Sequence, residues 1–168
     1  MLSFSKFQFC PSCSTENIYQ NSEKSFLCNS CGFTYFHNPA PAVGAIVFDG
    51  KKLLLCRRAF DPSKDKLDFP GGFVDYQETL EQALVREVKE ELNLEVTNIE
   101  YFASLTNLYE YKKVIYPTVD VFFKCQAKDL SRLSVADDVA SYEWENIENL
   151  NIDDLAFDSG KKIIKKLK

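Results

Sequence analysis

The chain has 168 residues, one domain's worth by the usual span of about 100–200 residues. A composition of 45% hydrophobic and 27% charged residues, with six Gly and six Pro, excludes collagen-like, low-complexity and disordered classes. Twenty Lys+Arg against 25 Asp+Glu leave a formal charge of −5, so nucleic acid is not an expected main partner. No apolar run approaches the roughly 18–20 residues that span a bilayer, and Met1 to Phe9 lacks the apolar stretch of a secretory signal. The expectation is a cytoplasmic protein with no membrane contact, in which six cysteines need a role other than disulfides.

Four of those cysteines come first in the chain. Cys10-Pro11-Ser12-Cys13 and Cys28-Asn29-Ser30-Cys31 are two Cys-x-x-Cys knuckles, 14 residues apart. Each knuckle offers two thiolates from a tight turn, and two knuckles close a tetrahedral Zn²⁺ shell. A shell of four protein sulfurs has no open position, so this zinc is expected to be structural. Phe36-His37-Asn38-Pro39-Ala40-Pro41 follows as a stiff linker, because its two prolines disfavour helix. The boundary is placed there: a zinc ribbon over 1–38 and a second domain over 39–168. His37 is assigned to the linker, and Cys56 and Cys125 to the core.

The pattern then becomes regular. Val43 to Phe48 and Leu53 to Arg57 are expected strands joined by Asp49-Gly50. Ala59 to Lys66 is a polar loop. Thr79 to Leu92 is an expected helix, with Thr79 and Gln82 spaced as a capping box and Asn93 able to end it in the left-handed conformation. Glu95 to Leu105, Thr118 to Cys125 and Ser141 to Ile147 are expected strands, and Asp158 to Leu167 a terminal helix. Strands, a helix, strands and a helix indicate an α/β layered fold.

The acidic helix is the most informative segment. Leu80, Leu84, Val88 and Leu92 form an apolar stripe. At about 100° per residue, Glu87 and Glu91 fall within that stripe, Glu90 falls on its edge and Arg86 just beyond. A surface helix turns its acids away from its apolar face. Two like charges on the buried side require positive compensation, which a hard divalent cation would supply, unless the helix lies at a core edge with its acids reaching water beside Lys89 and Arg86.

The residues from Gly72 to Leu94 resemble the Nudix box. Gly72 is followed after five residues by Glu78, and after seven more by Arg86-Glu87-Val88-Lys89-Glu90-Glu91-Leu92-Asn93-Leu94. The family pattern has Gly where Asn93 stands, and usually Gly where Gln77 stands. The looser resemblance runs from Val43 to the C-terminus. It implies a Nudix α/β/α sandwich with a mixed sheet, and a hydrolase that cleaves nucleoside diphosphates linked to another moiety. Mg²⁺ or Mn²⁺ and a water nucleophile belong to that chemistry.

Carried over by position, Glu87, Glu90 and Glu91 look like metal ligands, with the Gly72 carbonyl completing the shell. Glu78 and Arg86 resemble the pair that braces the loop against the helix. One carboxylate serves as base, and the resemblance does not say which. Asp138, six residues before Trp144, resembles a later-loop acid that also binds metal. Arg57 and Arg58 are candidates for holding a phosphate, and Tyr109 for stacking on a base. A zinc ribbon ahead of such a domain is similar to the NADH pyrophosphatase branch, although Ser104 to Lys112 lacks that branch's Ser-Gln-Pro-Trp-Pro-Phe-Pro segment. The expected substrate is a small nucleotide such as ADP-ribose or NADH, and a homodimer is compatible. The alternatives are a nucleotide-sensing module without turnover and a nucleic-acid adaptor acting through the ribbon.

Overall fold

The computed structural model describes residues 7–168. The expectation of no secretory signal over Met1 to Phe9 lies mostly outside the described residues. Among the described residues no helix is long and apolar enough to cross a membrane.

The N-terminal unit is built on β1 (Ile18–Ser22), β2 (Ser25–Cys28) and β3 (Thr34–Phe36), an antiparallel sheet in sequence order. The polar stretch before Lys24 forms β1 because backbone pairing, not burial, holds it. Each knuckle is a turn closed by two backbone bonds. Ser14 N–H donates to Cys10 O and Cys10 N–H to Thr15 O, both at 2.8 Å. Gly32 N–H donates to Cys28 O and Cys28 N–H to Phe33 O, both at 2.9 Å. Ser14 and Gly32 take the same left-handed role, with φ of 57° and 76°.

The Sγ atoms of Cys10 and Cys31 stand 3.8 Å apart, and those of Cys13 and Cys28 3.7 Å apart. All four lie within 4.8 Å of one another. A tetrahedron with zinc–sulfur bonds of about 2.3 Å has edges of about 3.8 Å, so the four sulfurs fit zinc. Among the described residues, Phe26, stacked on Tyr35 at 5.1 Å, is the large side chain that this unit buries fully. Leu108–Pro117, expected within the domain from residue 39, groups instead with this unit. His37 there places its ring 6.3 Å from that of Tyr116.

The second compact unit comprises Ala40–Asn107 and Thr118–Lys168. Its sheet contains β4 (Ala40–Asp49), β5 (Lys52–Arg58), β6 (Leu67–Asp68), β7 (Val96–Tyr111), β8 (Val114–Ala127) and β9 (Val139–Asn146). The order is β6-β5-β4-β8-β7, with β9 also on β5. β4 runs parallel to β8 and antiparallel to β5, so the sheet is mixed. β4 starts three residues before the expected strand and includes Pro41, which the linker reading had placed outside it.

β4 and β5 pair only near their hairpin, at Phe48–Leu53 and Asp49–Lys52, and then diverge. The chain from 67 to 74 fills the gap. β6 bonds to β5, and then Pro70 O and Gly72 O accept from Ala45 and Val43 N–H at 2.7 and 2.9 Å. α1 (Leu80–Leu92) and α2 (Asp158–Leu167) complete the sandwich. Val43, Ala45, Val47 and Leu54 pack with Ala83, Leu84, Val88 and Leu92 of α1. Ile46, Leu53, Leu55 and Phe69 pack with Ile163 and Ile164 of α2. The alternation along β4 and β5 thus serves two cores. The buried Asp120 carboxylate ties α2 to the sheet, accepting from Thr118 Oγ1 and Ser159 Oγ at 2.6 Å each.

Removing metal from the ribbon is expected to collapse the dispersed amide resonances of β1–β3 while those of β4–β6 and α1 persist. Ribbon resonances that stay dispersed after chelation contradict the zinc fit.

Candidate active site

α1 forms where the sequence places it. Thr79 Oγ1 accepts from Gln82 N–H at 3.3 Å, and Gln82 Oε1 accepts from Thr79 N–H at 2.9 Å. These reciprocal bonds satisfy donors that a helix start leaves unpaired. Asn93 ends the helix at φ 54°, its N–H donating to Lys89 O. The buried residues are Ala83, Leu84, Val88 and Leu92. Glu87 and Glu91 are half-buried on the flank of that stripe, whereas the Glu90 side chain is 49% exposed.

The Glu87 carboxylate lies directly over Gly72. A Cβ built on Gly72 would stand 2.6 Å from Glu87 Oε1 and 2.8 Å from Oε2. Gly71 N–H donates to Glu91 Oε2 at 2.9 Å. Gly71 adopts φ 145°, and a Cβ there would meet Val43 O at 2.1 Å. The two glycines therefore do different work. Gly71 lets the chain pass β4, and Gly72 leaves room for an acid. The Gly72 carbonyl accepts from Val43 N–H and keeps its second lone pair.

Arg86 organises the acids around it. Its Nε and Nη2 donate to Glu78 Oε1 and Oε2 at 2.8 and 2.9 Å, a bidentate pair. Nη1 donates to Glu87 Oε1 at 2.8 Å and Glu90 Oε2 at 3.0 Å, and Nη2 also reaches Phe73 O. Hydrogen bonding from Arg86 holds Glu78 below its ordinary range. Burial raises Glu87, against the pull of Arg86 and with help from the charges of Glu90 and Asp137. Burial raises Glu91 further, to about 8. The Gly71 N–H opposes that rise, and the charges of Glu87, Asp68 and Asp137 add to it.

The loop after β8 explains the presence of Asp137. Ala136 N–H donates to Glu91 O and Ser134 N–H to Leu92 O, at 2.9 and 3.1 Å. These are carbonyls a helix end leaves unpaired. The loop is thereby fastened to α1, with Asp137 at φ 52°. Asp137 is a loop acid whose charge bears on Glu87 and Glu91. Asp138 presents its carbonyl to Ala59 N–H at 2.9 Å.

Asp68 of β6, opposite Cys56, was missed by sequence reasoning. Its charge contributes to the rise of Glu91, and desolvation pushes Asp68 itself up to about 6 despite Arg58 beside it. No short motif marks it, because its place comes from β5–β6 pairing. Arg58 is held by Asp68 at 3.3 Å, by Pro62 O at 2.8 Å and over the Phe157 ring at 5.1 Å. Arg57 pairs with Glu143 across β5–β9 and donates to Asp65 O. Both arginines are thus engaged within the protein. Tyr109 belongs to the unit that contains the ribbon.

The donors around Gly72 are a backbone carbonyl and carboxylates, a hard oxygen set suited to Mg²⁺ or Mn²⁺ and poorly suited to softer metals. Residues 38–167 match the NUDIX domain. The chain belongs to the Nudix family. Curated relatives include the NAD-capped RNA hydrolases NudC of Pseudomonas aeruginosa and Vibrio cholerae. The first is 36% identical over 98 residues, covering 58% of this chain and 34% of that protein. The second is 29% identical over 143 residues, covering 85% and 51%. The chain therefore spans between a third and a half of these relatives. Among solved structures, a NUDIX hydrolase from Nitrosomonas europaea aligns over 94% of this chain and 88% of its own, with TM-score 0.74 and 27% identity. A bifunctional NMN adenylyltransferase/ADP ribose pyrophosphatase from Francisella tularensis, complexed with AMP and manganese, aligns over 79% and 42%, with TM-score 0.56 and 26% identity.

Gly72→Ala is expected to leave the melting temperature within a few degrees, because the colliding carboxylate sits at the end of a flexible side chain, yet to displace Glu87 and weaken Mn²⁺ binding at least tenfold. Gly71→Ala meets backbone and is expected to lower the melting temperature much more. Calorimetry on both variants checks the contrast. Equal losses of stability contradict it.

Proposed function

We propose that this protein is a divalent-cation-dependent pyrophosphohydrolase acting on a nucleoside diphosphate linked to a second moiety, with ADP-ribose and NADH-like molecules as the substrate class. The observation that carries this reading is the pair Glu87 and Glu91, desolvated one helical turn apart against Gly71 and Gly72. Nothing in packing requires two acids there. A divalent cation supplies the opposing charge that such burial needs, and once bound it can in turn hold a diphosphate.

Glu87, Glu91 and the Gly72 carbonyl would hold Mg²⁺ or Mn²⁺, with Glu90 at the exposed rim as a further ligand or the base. When bound, the ion neutralises the diphosphate and lowers the pKa of the attacking water. The water oxygen bonds to one phosphorus, the bridging P–O bond breaks, and a carboxylate takes the proton. Arg86, bidentate to Glu78, fixes the loop that carries Gly72 against α1. Asp137 joins Asp138, the acid that position assigns, as a candidate ligand from the later loop, since its charge reaches both acids.

The names of the relatives support this class. NAD-capped RNA and ADP-ribose both contain an adenylate joined through a diphosphate. A capped RNA end would therefore be read as a dinucleotide, which is compatible with a net charge of −5. A cytoplasmic location and structural zinc in the ribbon complete the proposal. The intact acid set favours turnover over a purely sensing role.

The test compares AMP release from ADP-ribose and NADH with release of nicotinamide mononucleotide from NAD-capped RNA. Glu91→Gln is expected to lower kcat at least 100-fold with the fold retained. Glu91 holds its proton to about 8, so proton and cation compete for it below that pH. The Mg²⁺ concentration giving half-maximal rate should rise as pH falls from 8 to 6. A variant that keeps a tenth of the wild-type rate contradicts the role of Glu91.

A further inference from the structure

The loop between β5 and β6 is more rigid than its polar sequence suggests. Arg58 N–H donates to Lys66 O and Asp65 N–H to Arg58 O, each at 3.0 Å. Arg58 Nε is bonded to Pro62 O, and Arg57 Nη1 to Asp65 O. Lys64 N–H donates to Asp61 Oδ1 at 3.4 Å. Two further bonds anchor the loop outside itself, Ser63 Oγ to Ala156 O at 3.3 Å and Lys66 Nζ to Asp153 O at 3.0 Å. This frame holds up one large apolar side chain, Phe60, which is 61% exposed.

Phe60 takes no part in either hydrophobic cluster. The loop's hydrogen bonds would form equally well with a polar residue at its place, so folding does not account for an aromatic ring there. Its neighbourhood does. One residue earlier, Ala59 N–H is bonded to Asp138 O, directly beside Asp137, whose charge reaches Glu87 and Glu91. At the other end the loop enters β6 and Asp68, whose charge also reaches Glu91. The loop is thus bonded at one end to the segment fastened to the Glu91 carbonyl through Ala136, and continues at the other into β6 and Asp68.

We infer that Phe60 is a stacking platform for the planar ring of the nucleotide substrate, adenine or nicotinamide, while the diphosphate lies at the acids. This rests on the proposed function and adds the residue that recognises the base. A ring held on a rigid frame loses little freedom on binding, so most of the stacking energy appears as affinity. Stacking tolerates different bases, because each presents a π face. Sequence reasoning gave this role to Tyr109, which groups with the ribbon unit.

The experiment compares wild type, Phe60→Ala, Phe60→Leu and Phe60→Tyr on ADP-ribose and on the diphosphate of two riboses, which is ADP-ribose without its adenine. For ADP-ribose, Ala and Leu should raise KM about tenfold or more, with kcat within about twofold and an unchanged melting temperature. Phe60→Tyr should restore the wild-type KM, and no variant should change KM for the base-free diphosphate. In Phe60→Trp, AMP with Mg²⁺ should quench fluorescence beyond the wild-type response. A KM for Phe60→Ala within twofold of wild type on ADP-ribose, or an equal rise on the base-free diphosphate, overturns the stacking role alone. Wild type that cleaves neither diphosphate, and no added quench in Phe60→Trp, overturns it together with the proposed function.

Discussion

The desolvation of Glu87 and Glu91 is the constraint on which the function proposed for the second unit rests. A carboxylate taken from water without compensation gives up its charge by keeping its proton, and Glu91 holds its proton to about 8. The fold tolerates this through two local devices. Arg86 shares one positive charge among Glu78, Glu87 and Glu90, and the Gly71 amide supports Glu91. Neither neutralises the whole cluster. The positive charge still needed is what a divalent cation would supply.

The rest of the unit arranges backbone around that constraint. β4 and β5 separate, residues 67–74 occupy the space, and the glycine turn comes to lie beneath α1. The far end of α1 is capped by Asn93 and by the loop whose amides reach the Glu91 and Leu92 carbonyls. One set of hydrogen bonds therefore finishes the helix and places Asp137. Helix termination and site assembly are the same event here.

Much of this was legible because local rules sufficed. The cap residues Thr79 and Gln82, the stop at Asn93 and the positions of Glu87 and Glu91 all follow from spacing within one helix. The cysteine knuckles were equally plain, since their turns are short and their sulfurs converge. What stayed hidden depends on distant partners. Arg57 reads as a free phosphate binder until Glu143, 86 residues later, lies across from it. Asp68 sits in a two-residue strand that no periodicity reveals. Lys112 and Lys113 turn the β7–β8 hairpin with φ of 46° and 66° although neither is a usual left-handed residue. Asp137 and Asp138 differ by one position, and neither the left-handed φ at Asp137 nor the bond from Ala59 N–H to the Asp138 carbonyl can be read from spacing.

Anomalous diffraction from crystals soaked in Mn²⁺ tests the central claim most directly. A manganese peak is expected between Glu87, Glu91 and the Gly72 carbonyl, about 2.0–2.3 Å from the nearest oxygens. Saturating Mn²⁺ that leaves both carboxylates on Arg86 and Gly71, with no ion between them, would contradict it.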